Sequence, residues 1–344
     1  NPDVEYAVPV FKRYTYSFTP NDPDFSKQYG LQSMKLEQAW DFTRGSKDVL
    51  IAIIDSGTEI THSDLAANIW TNPGEIPDNG IDDDGNGKID DVNGWDFVGN
   101  VTINQIYSGI YKEDNNPVNN AAFHGTFVAG EIGAVRNNGK GVDGIASDVK
   151  LMIIRVVPDG DERDKDVANG IRYAIENGAK VINMSFGKAF SPQKKFVDEV
   201  LPLADKYDVL LVHAAGNDAE NNDLVANYPT HIGADGKPIT NNWLTVGASS
   251  MKVDDDLAAN FSNYGTKTVD LFAPGVDLWG TKPGNRYGAF SGTSMASLVV
   301  AGMAAVIRSY YPQLSASEVK EAIMKSVTSV DQMVQKPVSY THLR

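Results

Sequence analysis

Five stretches of this chain are continuously apolar and rich in β-branched residues: DVLIAII (48–54), VKLMIIRVV (149–157), KVINMSF (180–186), DVLLVHAAG (208–216) and WLTVGAS (243–249). Runs of this kind mark strands covered on both faces, because a strand with one wet face alternates apolar with polar residues. Between them lie segments with helical spacing, HGTFVAGEIGAV, DVANGIRYAIENGA and FVDEVLPLADKY, and AFSGTSMASLVVAG (289–302) opens a further, buried helix. Strands alternating with helices predict an α/β fold with a doubly wound, mostly parallel central sheet and helices on both faces. In such folds sites form at the carboxyl ends of the strands. Residues 1–30 are rich in Pro, Asp and aromatics without a period, which predicts an extended arm lying on a core formed elsewhere. No internal repeat, low-complexity linker or composition break interrupts the pattern, so one domain is expected.

Composition narrows the chemistry. With 344 residues, 42% of them hydrophobic, the chain can bury a sizeable core. Its longest apolar runs are too short or too rich in small residues to span a bilayer. Thirty basic against 45 acidic residues give a net charge of −15, which argues against nucleic acid and admits divalent cations as partners. There is no cysteine, which excludes disulfides, thiolate metal sites and cysteine nucleophiles. Hydroxyl, carboxylate and imidazole chemistry remain.

Three residues of those types stand where such chemistry needs them. Asp55 directly follows the apolar run VLIAII and is held by Ser56-Gly57. His124 opens HGTFVAG, whose small residues let a helix pack closely behind an imidazole. Ser294, in GTSMA, sits at the amino end of an apolar helix, where developing negative charge is favoured. Acyl transfer by serine needs a base for the hydroxyl proton and a buried acid that holds the base in one tautomer. In isolation each motif has a plainer meaning: Asp-Ser-Gly as a turn, HGT as a helix cap, and Ser291, Ser294 and Ser297 as capping or packing hydroxyls. His62 is the only rival base, and His213, His231 and His342 have no motif around them.

The chain order Asp, His, Ser, with IIDSG, HGTFVAG, INMSFG, AAGND, FSNYG, APG and SGTSMA, resembles the subtilisin-like serine proteases, the subtilases, over roughly residues 18–330. The resemblance implies Asp55 as orienting acid, His124 as general base and Ser294 as nucleophile, with Asn217 and the Ser294 N–H as oxyanion donors. It implies that Ser185, Phe186 and Gly187 form the strand edge that pairs with an extended peptide. Ala214, Ala215 and Gly216 would wall the primary pocket and Asn227 would floor it. Asp218 near the rim suggests a broad pocket tolerant of basic or large residues. The expected organisation is a propeptide remnant or extended arm over 1–17, a catalytic domain over 18–335 and a tail of unclear origin over 336–344. A secreted monomer whose leader has been removed is expected, with extended peptides or proteins as substrates and its own propeptide as a partner.

Two positions depart from the family pattern. Leu298 stands where proline is usual, read here as a first-turn position where proline removes an N–H and presets φ. The change implies either a displaced Ser294 hydroxyl that raises the share of aminolysis, making a peptide ligase or transpeptidase, or a leucine that simply packs in the core. Phe127 replaces a common second histidine. Three functions therefore stay open: endopeptidase, ligase on the same scaffold, and catalytically dead peptide-binding module.

One or two calcium ions are expected. DDDGNGKIDDVN (82–93) follows an EF-hand-type loop, with Asp82, Asp84 and Asn86 alternating, Gly87 at the turn, the Lys88 carbonyl, and Asp90 at the ninth place. Asn93 stands where the bidentate glutamate belongs, Asp91 is a possible substitute, and a solvated acidic turn is the alternative. Resemblance to the thermitase-like branch, through TPNDP (19–23) and VRNNGKGV (135–142), implies a second site. Its ligands would be the side chains of Asp22, Asp64 and Asn138 and the carbonyls of Val135, Lys140 and Val142, an ion that would clamp the amino-terminal arm to the core.

Overall fold

The computed structural model describes residues 19–99, 105, 108, 112–119, 123–252, 257–330 and 336. The 1–17 segment, His342 and all of the 336–344 tail except Lys336 lie outside them.

Two short helices, α1 (Tyr29–Ser33) and α2 (Leu36–Ala39), lead into β1 (Leu50–Asp55), which is buried at every position. Strand β1 pairs in parallel with β3 (Lys150–Arg155) on one side and β4 (Val181–Met184) on the other. Beyond β3 lies β2 (Gly94–Asp96); beyond β4 come β5 (Leu210–Ala214), β6 (Trp243–Ser249) and β7 (Leu271–Pro274). The sheet order is β2-β3-β1-β4-β5-β6-β7, parallel throughout. The five apolar runs thus form the middle of the predicted sheet, and the short β2 and β7 extend it at the edges.

Both faces are covered, and the period of two along the strands divides the core. Ile51, Ile53, Leu151 and Ile153 face one layer, with α3 (Phe123–Gly133), α7 (Thr293–Tyr310) and α8 (Ala316–Ser326). Leu50, Ala52, Ile54, Met152 and Ile154 face the other, with α4 (Asp164–Glu176) and the pair α5 (Lys195–Val200) and α6 (Pro202–Lys206). The predicted helix FVDEVLPLADKY is broken into that pair at Pro202, which has no N–H to continue the ladder. An antiparallel hairpin of β8 (Leu278–Lys282) and β9 (Arg286–Phe290) delivers the chain to α7. Helix α7 is the one described helix long and apolar enough to cross a membrane, but it is mostly buried in the protein core.

Candidate active site

Asp55 is the last residue of β1, the strand flanked by β3 and β4, where crossovers leave in opposite directions and a crevice opens. The residue is 1% exposed. Oδ1 accepts the Ser56 N–H at 2.7 Å and the Ser56 hydroxyl at 3.1 Å, and the carboxylate meets His124 Nδ1 at 2.8 and 3.0 Å. A carboxylate can only accept, so Nδ1 carries the proton and Nε2 keeps its lone pair. Burial opposes charging of His124, but the Asp55 charge and hydrogen bond outweigh it and raise the imidazole above its ordinary pKa. Helix α3 comes this close because Gly125 lacks a side chain: a Cβ there would lie 2.2 Å from the Gly57 carbonyl.

Ser294 is the second residue of α7, and Phe290, just before it, stands edge-on to the His124 ring at 6.0 Å. Its hydroxyl donates to the Ser185 carbonyl at 2.7 Å. Among the described residues no hydrogen bond joins it to His124. Such bonds often tighten only once substrate is bound. Behind the serine, its own carbonyl accepts the Ser185 and Ser297 hydroxyls, each at 3.0 Å, and Asn183 donates to Ser185 Oγ at 2.8 Å.

The neighbouring hydroxyl has a separate task. Thr293 Oγ1 accepts the Gly216 N–H at 3.0 Å and donates to Asn217 Oδ1 at 3.1 Å, while the Thr293 N–H donates to the same oxygen at 2.8 Å. With Oδ1 held twice, the Asn217 amide is fixed with its N–H groups free of protein partners among the described residues. Ser291, by contrast, accepts the Asp277 N–H at 2.8 Å. Of the hydroxyls in this stretch, one ties the loop before the helix, one orients Asn217, one buttresses the helix, and Ser294 faces the cleft.

That cleft, about 540 Å³, is lined by Phe186, Gly187, Ala214, Gly216 and Asn227 together with Asn217 and Ser294. Ser185 and Ala215 are buried and do not line it, whereas Asp218 does. Asn227 Nδ2 donates to the Ala214 carbonyl at 3.3 Å. His213, which no motif surrounds, holds the Phe186 carbonyl through Nε2 at 2.9 Å; burial pushes its pKa down to about 3, so it is neutral and donates. His62 is fully buried away from this cleft, its Nδ1 accepting the Asp64 N–H at 3.2 Å.

Leu298 is the sixth residue of α7, in its second turn and not its first. Its N–H therefore belongs to the helical ladder, opposite the Ser294 carbonyl. Its side chain is 0% exposed within the core layer. Phe127 is likewise fully buried and packs on Phe123 and Phe290.

The residues proposed for cations fall into two groups. In the first, Asp22 accepts backbone N–H groups from Asn137, Asn138 and Gly139 at 2.6, 3.0 and 2.9 Å, and Asp64 accepts Asn138 Nδ2 at 2.6 Å and the Val142 N–H at 3.1 Å. The carbonyls of Val135, Lys140 and Val142 accept no hydrogen bond from the described residues. Nearby Asp143 is fully buried, and burial, reinforced by the Asp22 charge, pushes its carboxyl up to about 8. In the second group, carboxylate oxygens of Asp82, Asp84 and Glu75 lie within 4.8 Å of one another. Asn86 Nδ2 donates to Asp84 Oδ2 at 3.0 Å, and the Asn86 Oδ1 accepts the Lys88 N–H at 2.8 Å. Asp90 turns away to accept the Asn79 and Gly80 N–H groups at 3.1 and 2.9 Å, and Asp91 is held by Tyr173 and Asn72. Glu75, seven residues before the loop, escaped a reading confined to contiguous loop positions.

Sheet and crevice together define an α/β protein with an aspartate–histidine pair at the carboxyl end of β1 and a serine lining the cleft at the amino end of α7. The model of the subtilase family (Peptidase_S8) matches residues 46–340, and the chain belongs to that family. It is 36% identical over 313 residues to the thermophilic serine proteinase of Bacillus sp. (strain AK1), covering 90% of this chain but only 64% of that protein. It is 34% identical over 315 residues to thermitase of Thermoactinomyces vulgaris, covering 91% of this chain and 93% of the relative. Among solved structures, a protease of Pseudoalteromonas arctica PAMC 21717 superposes with a TM-score of 0.73 at 26% identity, covering 94% of this chain and 97% of that one.

Proposed function

We propose that the chain is a secreted, calcium-stabilised serine endopeptidase that acts through an acyl-enzyme on Ser294. The observation that carries this reading is the Asp55–His124 pair, which leaves Nε2 its lone pair, together with Ser294 lining the cleft at the amino end of a buried helix. In the first step Ser294 Oγ attacks the peptide carbonyl and its proton passes to His124 Nε2. The oxyanion takes the Ser294 N–H and an Asn217 amide N–H, aimed by Thr293. Collapse breaks the C–N bond, and His124 gives its proton to the leaving amine. Water then attacks the ester, its proton passing to His124 and on to Ser294 Oγ as the acid leaves. Asp55 stays ionised throughout and holds the tautomer.

Asn217→Ala is expected to lower kcat by about 10²–10³-fold with little change in KM, the scale known from removal of such a donor in subtilisin. Steady-state kinetics on one peptide substrate check it.

The same scaffold reads as a ligase only if Leu298 displaces the nucleophile, and its complete burial within the helix favours the packing role. The experiment that tests the reading is mass spectrometry of a peptide ester incubated with the enzyme and a second peptide bearing a free amine. Acid product is expected to dominate, with the ratio unchanged in Leu298→Pro. Joined peptide as the main product would make the protein a ligase.

Calcium is supported by carbonyls without donors beside Asp22, Asp64 and Asn138, and by three carboxylates drawn together at Glu75, Asp82 and Asp84. Hard oxygen donors in this number suit Ca²⁺, whose charge would offset their mutual repulsion and tie the arm to the core. In Ser294→Ala protein, which cannot digest itself, excess chelator is expected to lower Tm by about 5 °C, the loss of about 4 kcal/mol of mass action from calcium at about 1,000 times the Kd of one site. An unchanged Tm contradicts the calcium assignment.

A further inference from the structure

Three carboxylates line the cleft beside Ser294 with nothing among the described residues to neutralise them. Asp161 comes from the loop after β3, and Asp218 and Glu220 from the loop after β5. All three are exposed. Asp218 and Glu220 are anchored through their backbones: both N–H groups donate to Asn263 Oδ1, at 2.9 and 3.0 Å, and the Glu220 carbonyl accepts the Tyr264 N–H at 3.0 Å, leaving the carboxylates clear. Among the described residues none of the three carboxylates meets a cation or a hydrogen-bond donor.

Among the described residues the cleft has one lining cation, Lys188, and its charge is already matched. Its side chain is only 7% exposed, with Nζ 2.9 Å from Asp164 Oδ1 and a further bond to the Glu162 carbonyl. Asp164 is itself fixed by the Ser191 hydroxyl at 2.6 Å and the Gln193 N–H at 2.7 Å. Lys188 is therefore held inward and does not offset the three rim charges. The net charge of −15 adds a field of the same sign over the whole molecule.

We infer that this cleft selects peptides carrying a lysine or arginine side chain on the acyl side of the bond to be cut, and rejects acidic ones. The inference rests on the serine endopeptidase reading and names the substrate class of that same site. Because the three carboxylates are wet, the preference is moderate and sensitive to salt.

The test uses a peptide series identical except for one residue, placed in turn at each of the four positions before the scissile bond: lysine, its uncharged near-isostere norleucine, or glutamate. At low salt the lysine peptide is expected to exceed norleucine in kcat/KM by about 10-fold at one or more positions, with glutamate poorest. In 1 M NaCl, where the screening length falls to about 3 Å, the preference should shrink several-fold. In Asp161→Asn/Asp218→Asn/Glu220→Gln it should fall to about twofold or less. Equal cleavage of lysine and norleucine peptides by the unaltered protein, or a preference that survives the triple substitution, overturns the inference. A fluorophosphonate adduct on Ser294 in both proteins separates that failure from failure of the underlying reading, which absent labelling with absent cleavage would overturn together with the inference.

Discussion

Ser294→Ala is expected to reduce kcat by about 10⁶-fold, the scale found when subtilisin loses its nucleophile. The argument lies in what the serine touches. Its hydroxyl makes one hydrogen bond, to the Ser185 carbonyl, so removing it costs the fold only about 1 kcal/mol. Its carbonyl, which accepts Ser185 and Ser297, is backbone and stays in place. A large loss of activity with a nearly unchanged Tm therefore marks a reacting atom and not a structural one. Kinetics and thermal unfolding on the same preparation check it. Residual cleavage within 10-fold of the parent contradicts the assignment.

Asp55→Asn is expected to cost about 10⁴-fold in kcat at neutral pH, the scale of the corresponding change in a serine protease triad of another fold. An asparagine can present its N–H to His124 Nδ1, which leaves the proton on Nε2, where it blocks the base. The substitution also removes the charge that raises the His124 pKa. In the parent, kcat/KM rises with pH as His124 loses its proton, with a midpoint above the ordinary imidazole value; in Asp55→Asn that midpoint moves down. A pH profile of kcat/KM for both proteins reads the effect. An unmoved midpoint would separate Asp55 from the titrating group.

Much of this was legible in the sequence, for physical reasons that differ by residue. Strands buried on both faces announce themselves, so β1, β3, β4, β5 and β6 appear as apolar runs, whereas β2 is only three residues long and carries no such signal. Asp55 is visible because it ends a run at the edge where such folds build sites. Ser294 is visible as a hydroxyl at a helix start, but its partner Ser185 is 109 residues away and no spacing announces that contact. Thr293 looks like one more small residue until its two bonds to Asn217 Oδ1 are seen. Glu75 joins Asp82 and Asp84 through the fold of the loop. Leu298 lies one turn deeper in α7 than its sequence predicts, because where a helix begins depends on backbone geometry that residue preferences only approximate.

The most direct test of the central claim, that His124 activates Ser294 as a nucleophile, is reaction with a fluorophosphonate followed by intact-mass and peptide mapping. The predicted result is one adduct per chain, on Ser294, forming faster as pH rises through the His124 pKa and not forming at a comparable rate in His124→Ala. An adduct on another residue, no adduct, or equal labelling without His124 would contradict it.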